Sequence, residues 1–137
     1  MKPLIKACVD TNVWLSGLVF SGVPAQIVDL AMKKHFELIL SSIILSELKD
    51  NLIHKFMVEK AVAAKLCDSI AQIADLYEPQ GTVHLIKEKH ADNLVLETAL
   101  IGQAEFLVTG DKKHLLPLGT FKGIKIITPA MFLSILR

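Results

Sequence analysis

Residues 4–10 read LIKACVD, a short apolar run that ends in an acid at Asp10. A helical pattern follows as far as Phe20, and a second apolar run covers residues 36–40. Continuous apolar runs, without strict alternation, are typical of strands that are covered on both faces. This stretch therefore predicts two buried strands joined through helices, which is the beginning of a parallel sheet.

The same alternation continues along the chain. We predict strands at residues 4–9, 36–40, 82–86, 105–109 and 123–127, and helices at residues 10–20, 24–35, from Ser41 or Ser42 onward, at 58–77, 91–101 and from Pro129. Strands separated by helices imply parallel pairing with right-handed crossovers, so we expect an α/β fold, a three-layer α/β/α sandwich with a central parallel sheet of about five strands.

Length and composition fit one domain that spans residues 1–137. With 52% hydrophobic and 21% charged residues, the chain is neither disordered nor collagen-like. The formal net charge is +1, and the only arginine is Arg137, which argues against base readout by arginine. Two cysteines, Cys8 and Cys67, favour buried reduced thiols. Since no apolar segment reaches the ~18 residues of a membrane span, we expect a soluble cytoplasmic protein without membrane contact.

Two of the predicted strands end in a polar tripeptide that contains an acid. These tripeptides are Asp10-Thr11-Asn12 and Thr109-Gly110-Asp111. The carboxyl ends of parallel strands share one edge of a sheet, where functional residues gather. Two carboxylates that meet there repel each other unless a cation joins them. Each aspartate also has a purely structural interpretation, as a turn former or helix cap.

Glu47 lies at the rim of the apolar face of the third predicted helix. From there it either reaches over the edge of the sheet or stays solvated beside Lys49 or Asn51. Asp50, further from that face, is expected to be exposed.

Asp92 stands at the start of an almost entirely apolar helix and is expected to cap it, with a pKa lowered by the helix dipole. Capping and metal binding are compatible. Glu97 is the only charge within that helix and lies four residues after Asn93. It marks either a narrow hydrated stripe or a side chain that leans toward the same cleft.

The histidines show no spacing typical of metal ligands, and no zinc, serine-hydrolase or phosphate-loop motif is present. They are His35, His54, His84, His90 and His114. A site built from oxygen ligands alone favours Mg²⁺ or Mn²⁺ over Zn²⁺.

Taken in order, the motifs resemble those of PIN-domain ribonucleases over the whole chain. The matching residues are Asp10-Thr11-Asn12-Val13-Trp14, Ser46-Glu47-Leu48, Asp92 and Thr109-Gly110-Asp111. The chain is most similar to the VapC-like proteins, the toxins of prokaryotic toxin–antitoxin pairs. The resemblance implies a Mg²⁺- or Mn²⁺-dependent endoribonuclease that hydrolyses single-stranded or structured RNA.

The resemblance also assigns roles to residues. Asp10, Glu47, Asp92 and Asp111 would be both the catalytic residues and the metal ligands. Asn12 and Thr109 would orient an acid or a metal-bound water. Relatives usually carry an Arg-Asp-Pro-Asp-Asp run before the buried helix, whereas this chain has Glu88-Lys89-His90-Ala91-Asp92. Two of the acids are therefore replaced, which predicts either one tightly bound ion or a weak nuclease.

Several lysines are candidates for contacts with the RNA backbone, and Lys112 and Lys113 are best placed because they follow Asp111. Lys33 and Lys34 are further candidates, although exposed lysines also serve solubility alone. The expected partners are RNA and a cognate antitoxin. The high apolar content predicts a homodimer.

Two other functions fit the residues. In a phosphatase, Asp10 would be the nucleophile, although haloacid-dehalogenase-like enzymes carry a second aspartate where this chain has Asn12. In a domain without catalytic activity, the same cleft would bind RNA or a protein partner. The altered stretch at residues 88–92 favours this second alternative.

Overall fold

A computed structural model describes residues 3–86 and 89–137, so Glu88 lies outside the described residues. The helices are α1 (Thr11–Val19), α2 (Val23–Met32), α3 (Ser42–His54), α4 (Lys60–Ile73), α5 (His90–Ile101) and α6 (Pro129–Leu136). The strands are β1 (Lys6–Val9), β2 (Glu37–Leu40), β3 (Ala74–Leu76), β4 (Phe106–Val108), β5 (Thr120–Phe121) and β6 (Ile124–Ile127). A single 3₁₀ turn at Leu116–Leu118 completes the described elements.

The strands form one sheet in the order β3-β2-β1-β4-β6-β5 within the described residues. All neighbouring pairs are parallel except β5 and β6. From β1 the chain moves outward to β2 and β3, then returns to place β4 on the other side of β1. The order thus reverses between β1 and β4, and this reversal opens a crevice at their carboxyl ends.

Helices cover both faces of the sheet because the crossovers run in opposite directions on either side of β1. Helix α5 packs against β1, β2 and β4. The second layer holds α1 against α2 and α3, α3 against α4, and α2 against α6. The fold is the predicted α/β/α sandwich. The parallel part of the sheet has the expected five strands.

Helices α1 and α2 pack closely where Gly17 faces Pro24. A Cβ atom on Gly17 would lie 2.6 Å from the Pro24 carbonyl oxygen and 2.5 Å from Val28 Cγ2, so no larger residue fits there. Within the described ranges, no single helix is long and apolar enough to cross a bilayer, although α1 and α2 pass that test as a pair bent by 99°.

One predicted strand is wrong. Residues 82–86 form an irregular loop, and the strand that pairs with the outer side of β2 is β3, at residues 74–76. The predicted helix at 58–77 was therefore too long, since α4 ends at Ile73 and the chain enters β3 directly. A segment of three residues, Ala74-Asp75-Leu76, is too short for its pattern to distinguish the last turn of a helix from a strand.

Side chains of α5 hold the loop before it in place. Glu97 accepts hydrogen bonds from the backbone N–H groups of Gln80, Thr82 (2.7 Å) and Val83 (3.3 Å). Asn93 accepts from Ile86 N at 2.9 Å and donates to Ile86 O at 2.8 Å. Glu97 therefore does not lean toward the cleft, and it forms no hydrated stripe, because it is only 2% exposed.

Candidate metal centre

Asp10 follows β1 and begins α1 as its N-cap residue. Its Oδ1 accepts a hydrogen bond from Thr11 N at 2.8 Å, and its Oδ2 accepts from Thr109 Oγ1 at 2.8 Å. The β1–β4 register aligns Val9 with Val108, which brings Asp10 and Thr109 side by side at the reversal point. Asp10 is only 6% exposed and is thus an acid set into the core.

Thr109 also connects Asp10 to Asp111. The Thr109 hydroxyl donates to Asp10 and accepts a hydrogen bond from Asp111 N at 3.1 Å. Thr109 itself is fully buried. The structure therefore brings together the two strand-end acids that the sequence places 101 positions apart, as expected for adjacent parallel strands.

Glu47 and Asp92 approach the same point from helices. Glu47 lies on α3, which follows β2, and Asp92 lies in the first turn of α5. Both side chains are partly buried. Both carboxylates are close enough to Asp10 to raise its pKa, which places them on the same edge of the sheet.

The electrostatics of these acids are unfavourable when all of them are charged. Burial, together with the charges of Asp92 and Glu47, raises the pKa of Asp10 to about 6, although the hydrogen bonds from Thr109 and Thr11 oppose this. Burial and the charge of Asp92 also raise the pKa of Glu47. The unpaired negative charge is concentrated in this crevice.

Asp92 differs from the expectation in two respects. The N-cap of α5 is Lys89, and Asp92 lies inside the first helical turn. Its pKa is raised, not lowered, because burial and the charge of Asp111 outweigh the effects of His114 and Lys89. Burial of the carboxyl group and the charge of a second carboxylate together outweigh the effect of the helix dipole.

His114 is a member of the cluster that sequence spacing did not reveal. Its Nδ1 lies 3.6 Å from Asp111 Oδ2 and 4.0 Å from Asp92 Oδ2. One potential ligand atom from each of Asp92, Asp111 and His114 lies within 4.8 Å of the others. The signal in the sequence was the position of His114 three residues after Asp111, within the same turn.

The remaining predicted residues lie at different distances from the cluster. Asn12 is exposed and lines a shallow surface pocket with Gly110 and Pro129, next to the strand-end acids. Lys112 and Lys113 are exposed in the turn after Asp111. Lys33 and Lys34 precede β2, so they lie at the amino edge of the sheet, and Lys33 pairs with Asp29 at 3.0 Å.

A family model of the PIN domain matches residues 6–113 of this chain. The chain belongs to the PIN-domain family. The matched segment of this PIN domain includes β1 through β4, all four acids of the crevice, and Thr109.

A solved structure is similar to this PIN domain in fold. It is a chain in the crystal structure of VapBC2 from Rickettsia felis bound to a DNA fragment from their promoter. The two chains share 16% identity with a TM-score of 0.62, and the match covers 90% of this chain and 98% of the other. No curated protein matches the sequence.

Proposed function

We propose that this PIN domain is a Mg²⁺- or Mn²⁺-dependent endoribonuclease. The observation that supports the proposal is the convergence of four carboxylates from separate elements, in which Asp92 and Glu47 raise the pKa of Asp10 and Asp111 raises that of Asp92. Membership of the PIN-domain family favours this function over a phosphatase with Asp10 as the nucleophile.

The side chains present fit a hard divalent cation. Carboxylate oxygens are the preferred ligands of Mg²⁺ and are well suited to Mn²⁺. A cation among Asp10, Glu47, Asp92 and Asp111 would offset both the burial of these carboxylates and their mutual repulsion. When bound, such an ion activates water and neutralises charge on a phosphodiester, without a histidine or serine nucleophile.

The chain's own residues have distinct proposed tasks. Asp10, Glu47, Asp92 and Asp111 are the ligands and catalytic acids. Thr109 holds Asp10 and Asp111 in fixed relation through one hydroxyl.

Three exposed residues lie beside the cluster. Asn12 would orient an acid or a metal-bound water, as the resemblance implies. Lys112 and Lys113 contact the phosphates of RNA, without selecting bases.

The stretch before α5 bears on the number of ions. In residues 89–92, Asp92 is the only carboxylate, and Lys89 and His90 are exposed. The VapC-like proteins that the chain resembles carry more carboxylates before this helix. Because this chain has fewer, we expect it to bind one ion tightly.

Partners of this domain are further proposals. An antitoxin partner follows from the VapC-like resemblance. A homodimer is supported by exposed apolar side chains such as Phe20, which is 61% exposed, and Met57, which is 83% exposed.

A single domain and a cytoplasmic location remain predictions. Both cysteines are free and buried, as expected.

Cleavage of end-labelled RNA tests the proposal. Wild-type protein is incubated with Mn²⁺ or with EDTA, beside Asp10→Asn and Asp50→Asn. Asp50 is the matched control because it is an exposed acid on the same helix as Glu47. We expect cleavage that requires the metal, is lost in Asp10→Asn and persists in Asp50→Asn.

Other results would support the alternatives. RNA binding without cleavage by the wild type would indicate a binding module. A trapped aspartyl-phosphate on Asp10, without RNA cleavage, would indicate the phosphatase.

A further inference from the structure

We propose that His114 is a nitrogen ligand of the cation that Asp92 and Asp111 hold, and that it makes the site select Mn²⁺ over Mg²⁺. This inference rests on the proposed metal-dependent function. It adds a ligand from outside the carboxylate set.

The distances around His114 are longer than a direct hydrogen bond and short enough for one ion to contact all three side chains. A charge-assisted N–H···O bond spans about 2.7–2.9 Å. His114 Nδ1 is 3.6 Å from Asp111 Oδ2 and 4.0 Å from Asp92 Oδ2. A cation bonded to two ligands at about 2.1 Å would hold their donor atoms between about 3 Å and about 4.2 Å apart, depending on the angle at the ion. Both observed separations lie in that range.

The turn after Asp111 fixes the position of His114. Asp111 Oδ1 accepts hydrogen bonds from Lys113 N at 3.0 Å and His114 N at 3.2 Å, while Oδ2 faces the imidazole. Asp111 O accepts from Leu116 N at 2.9 Å, and Leu115 is fully buried. One oxygen of Asp111 therefore shapes the turn, and the other is left for an ion beside His114.

A nitrogen ligand changes which metal the site prefers. Mg²⁺ binds oxygen ligands and keeps several waters, whereas imidazole suits transition metals, and Mn²⁺ accepts it more readily than Mg²⁺ does. A site with two carboxylates and an imidazole on one side thus gains more affinity for Mn²⁺ than for Mg²⁺. The alternative is that His114 binds no ion and only balances the negative charge of Asp92 and Asp111.

Pulsed EPR on bound Mn²⁺ distinguishes these two roles without measuring activity. The full-length protein is prepared with ¹⁵N-histidine and loaded with one equivalent of Mn²⁺. We expect a directly coordinated nitrogen signal in wild type and in His35→Ala, and none in His114→Ala. His35 is the matched control because it is exposed and precedes β2, at the opposite edge of the sheet.

Binding titrations give a second measurement. We expect His114→Ala to weaken Mn²⁺ binding by about tenfold or more and to change Mg²⁺ binding much less. Circular dichroism checks that the variant is folded, and a wild type without a nitrogen signal would overturn the assignment whether or not the variant folds.

The outcomes separate the two proposals. If Mn²⁺ binds, is lost with Asp111→Asn, and shows no nitrogen coupling, then His114 is a charge partner only and this inference fails alone. If wild-type protein binds neither ion, the metal-dependent function fails and the inference fails with it.

Discussion

Helix α5 carries two acids whose surroundings are opposite. Glu97 is 2% exposed and accepts three backbone N–H groups. Burial raises its pKa, but these hydrogen bonds lower it by more, so the pKa lies below its ordinary value. Asp92 faces other carboxylates, and burial and Asp111 raise its pKa. One helix thus carries a carboxylate whose hydrogen bonds are satisfied, Glu97, and a carboxylate that a neighbouring negative charge repels, Asp92.

This contrast separates structural from functional acids. An acid whose oxygens accept backbone N–H groups has its charge balanced by the fold. Acids that face one another keep a mutual repulsion that a cation can relieve, and they cost stability while none is bound. The region around Glu97 therefore stabilises the loop before α5, and the repulsion around Asp10 supports the proposed cation site there.

The largest expected effect is on activity. We expect Asp10→Asn to reduce metal-dependent RNA cleavage by at least ~100-fold, because removing a ligand forfeits several kcal/mol of charge stabilisation. Without metal, the same variant should be more stable than wild type by about 1–2 kcal/mol, since a buried, repelled charge is removed. Initial rates on labelled RNA and urea unfolding in EDTA measure the two effects. An Asp10→Asn protein that is inactive and also less stable than wild type would contradict the contrast between Asp10 and Glu97.

The matching substitution at Glu97 should lower stability and leave cleavage nearly unchanged, which is the reverse of Asp10→Asn. We expect Glu97→Gln to lower the free energy of unfolding by about 1–3 kcal/mol, because buried backbone donors lose a charged acceptor. Cleavage at a temperature where the variant is folded should stay within about twofold of wild type. Urea titration checks stability, and unchanged stability would show that Glu97 does not hold the loop at residues 80–83.

Thr109 offers a finer test, since it touches the acids without being one. We expect Thr109→Val to lower cleavage about tenfold, because Asp10 and Asp111 lose their shared hydroxyl, and to cost about 1 kcal/mol of stability. Thr109→Ser, which keeps the hydroxyl, should restore most of the activity. If serine rescued stability alone, Thr109 would have no positioning role.

The smallest effects are on the pH dependence of stability in EDTA. The pKa of Glu97 is lower in the folded state than its ordinary 4.5, so its stabilisation is present above pH 4.5 and is lost as the pH falls below it. Asp10 has the opposite sign. Its pKa rises from 3.8 to about 6, so its cost is present above pH 6 and is relieved as the pH falls toward 3.8.

The two variants isolate these contributions. Compared with wild type, Glu97→Gln should lose less stability below pH 4.5, and Asp10→Asn should gain less between pH 6 and pH 4. Urea unfolding at pH 7, 5 and 3.5 measures both differences. Identical pH profiles in all three proteins would contradict the pKa directions.

Much of the fold could be predicted because apolar runs and helical periods are local signals. The strand before Asp10 and the helix that starts after Ser41 both appear where expected, and Ser41 caps that helix through Ile44 N. Strand β3 could not be distinguished from the end of α4, because three residues carry too little periodicity. What fixes the loop at residues 80–86 is a set of long-range bonds to Glu97 and Asn93, which no local pattern encodes.

The placement of the strand-end acids could be predicted for a related reason, while their role as a site stays a prediction. Strand-end acids are recognisable because topology places them together, and the structure does bring Asp10 and Asp111 to one edge. The position of His114 beside Asp92 could not be predicted, because the turn after Asp111 and the start of α5 together set it. The direction of the Asp92 pKa was also beyond the sequence, since it depends on the burial of the carboxyl group and on how near Asp111 lies.

An anomalous-scattering map from a crystal soaked in Mn²⁺ tests the central claim most directly. We predict a strong peak bounded by the carboxylates of Asp10, Glu47, Asp92 and Asp111, and its loss from crystals of Asp10→Asn. A peak elsewhere on the surface, or an empty crevice in a crystal that takes up Mn²⁺ at other points, would contradict the account.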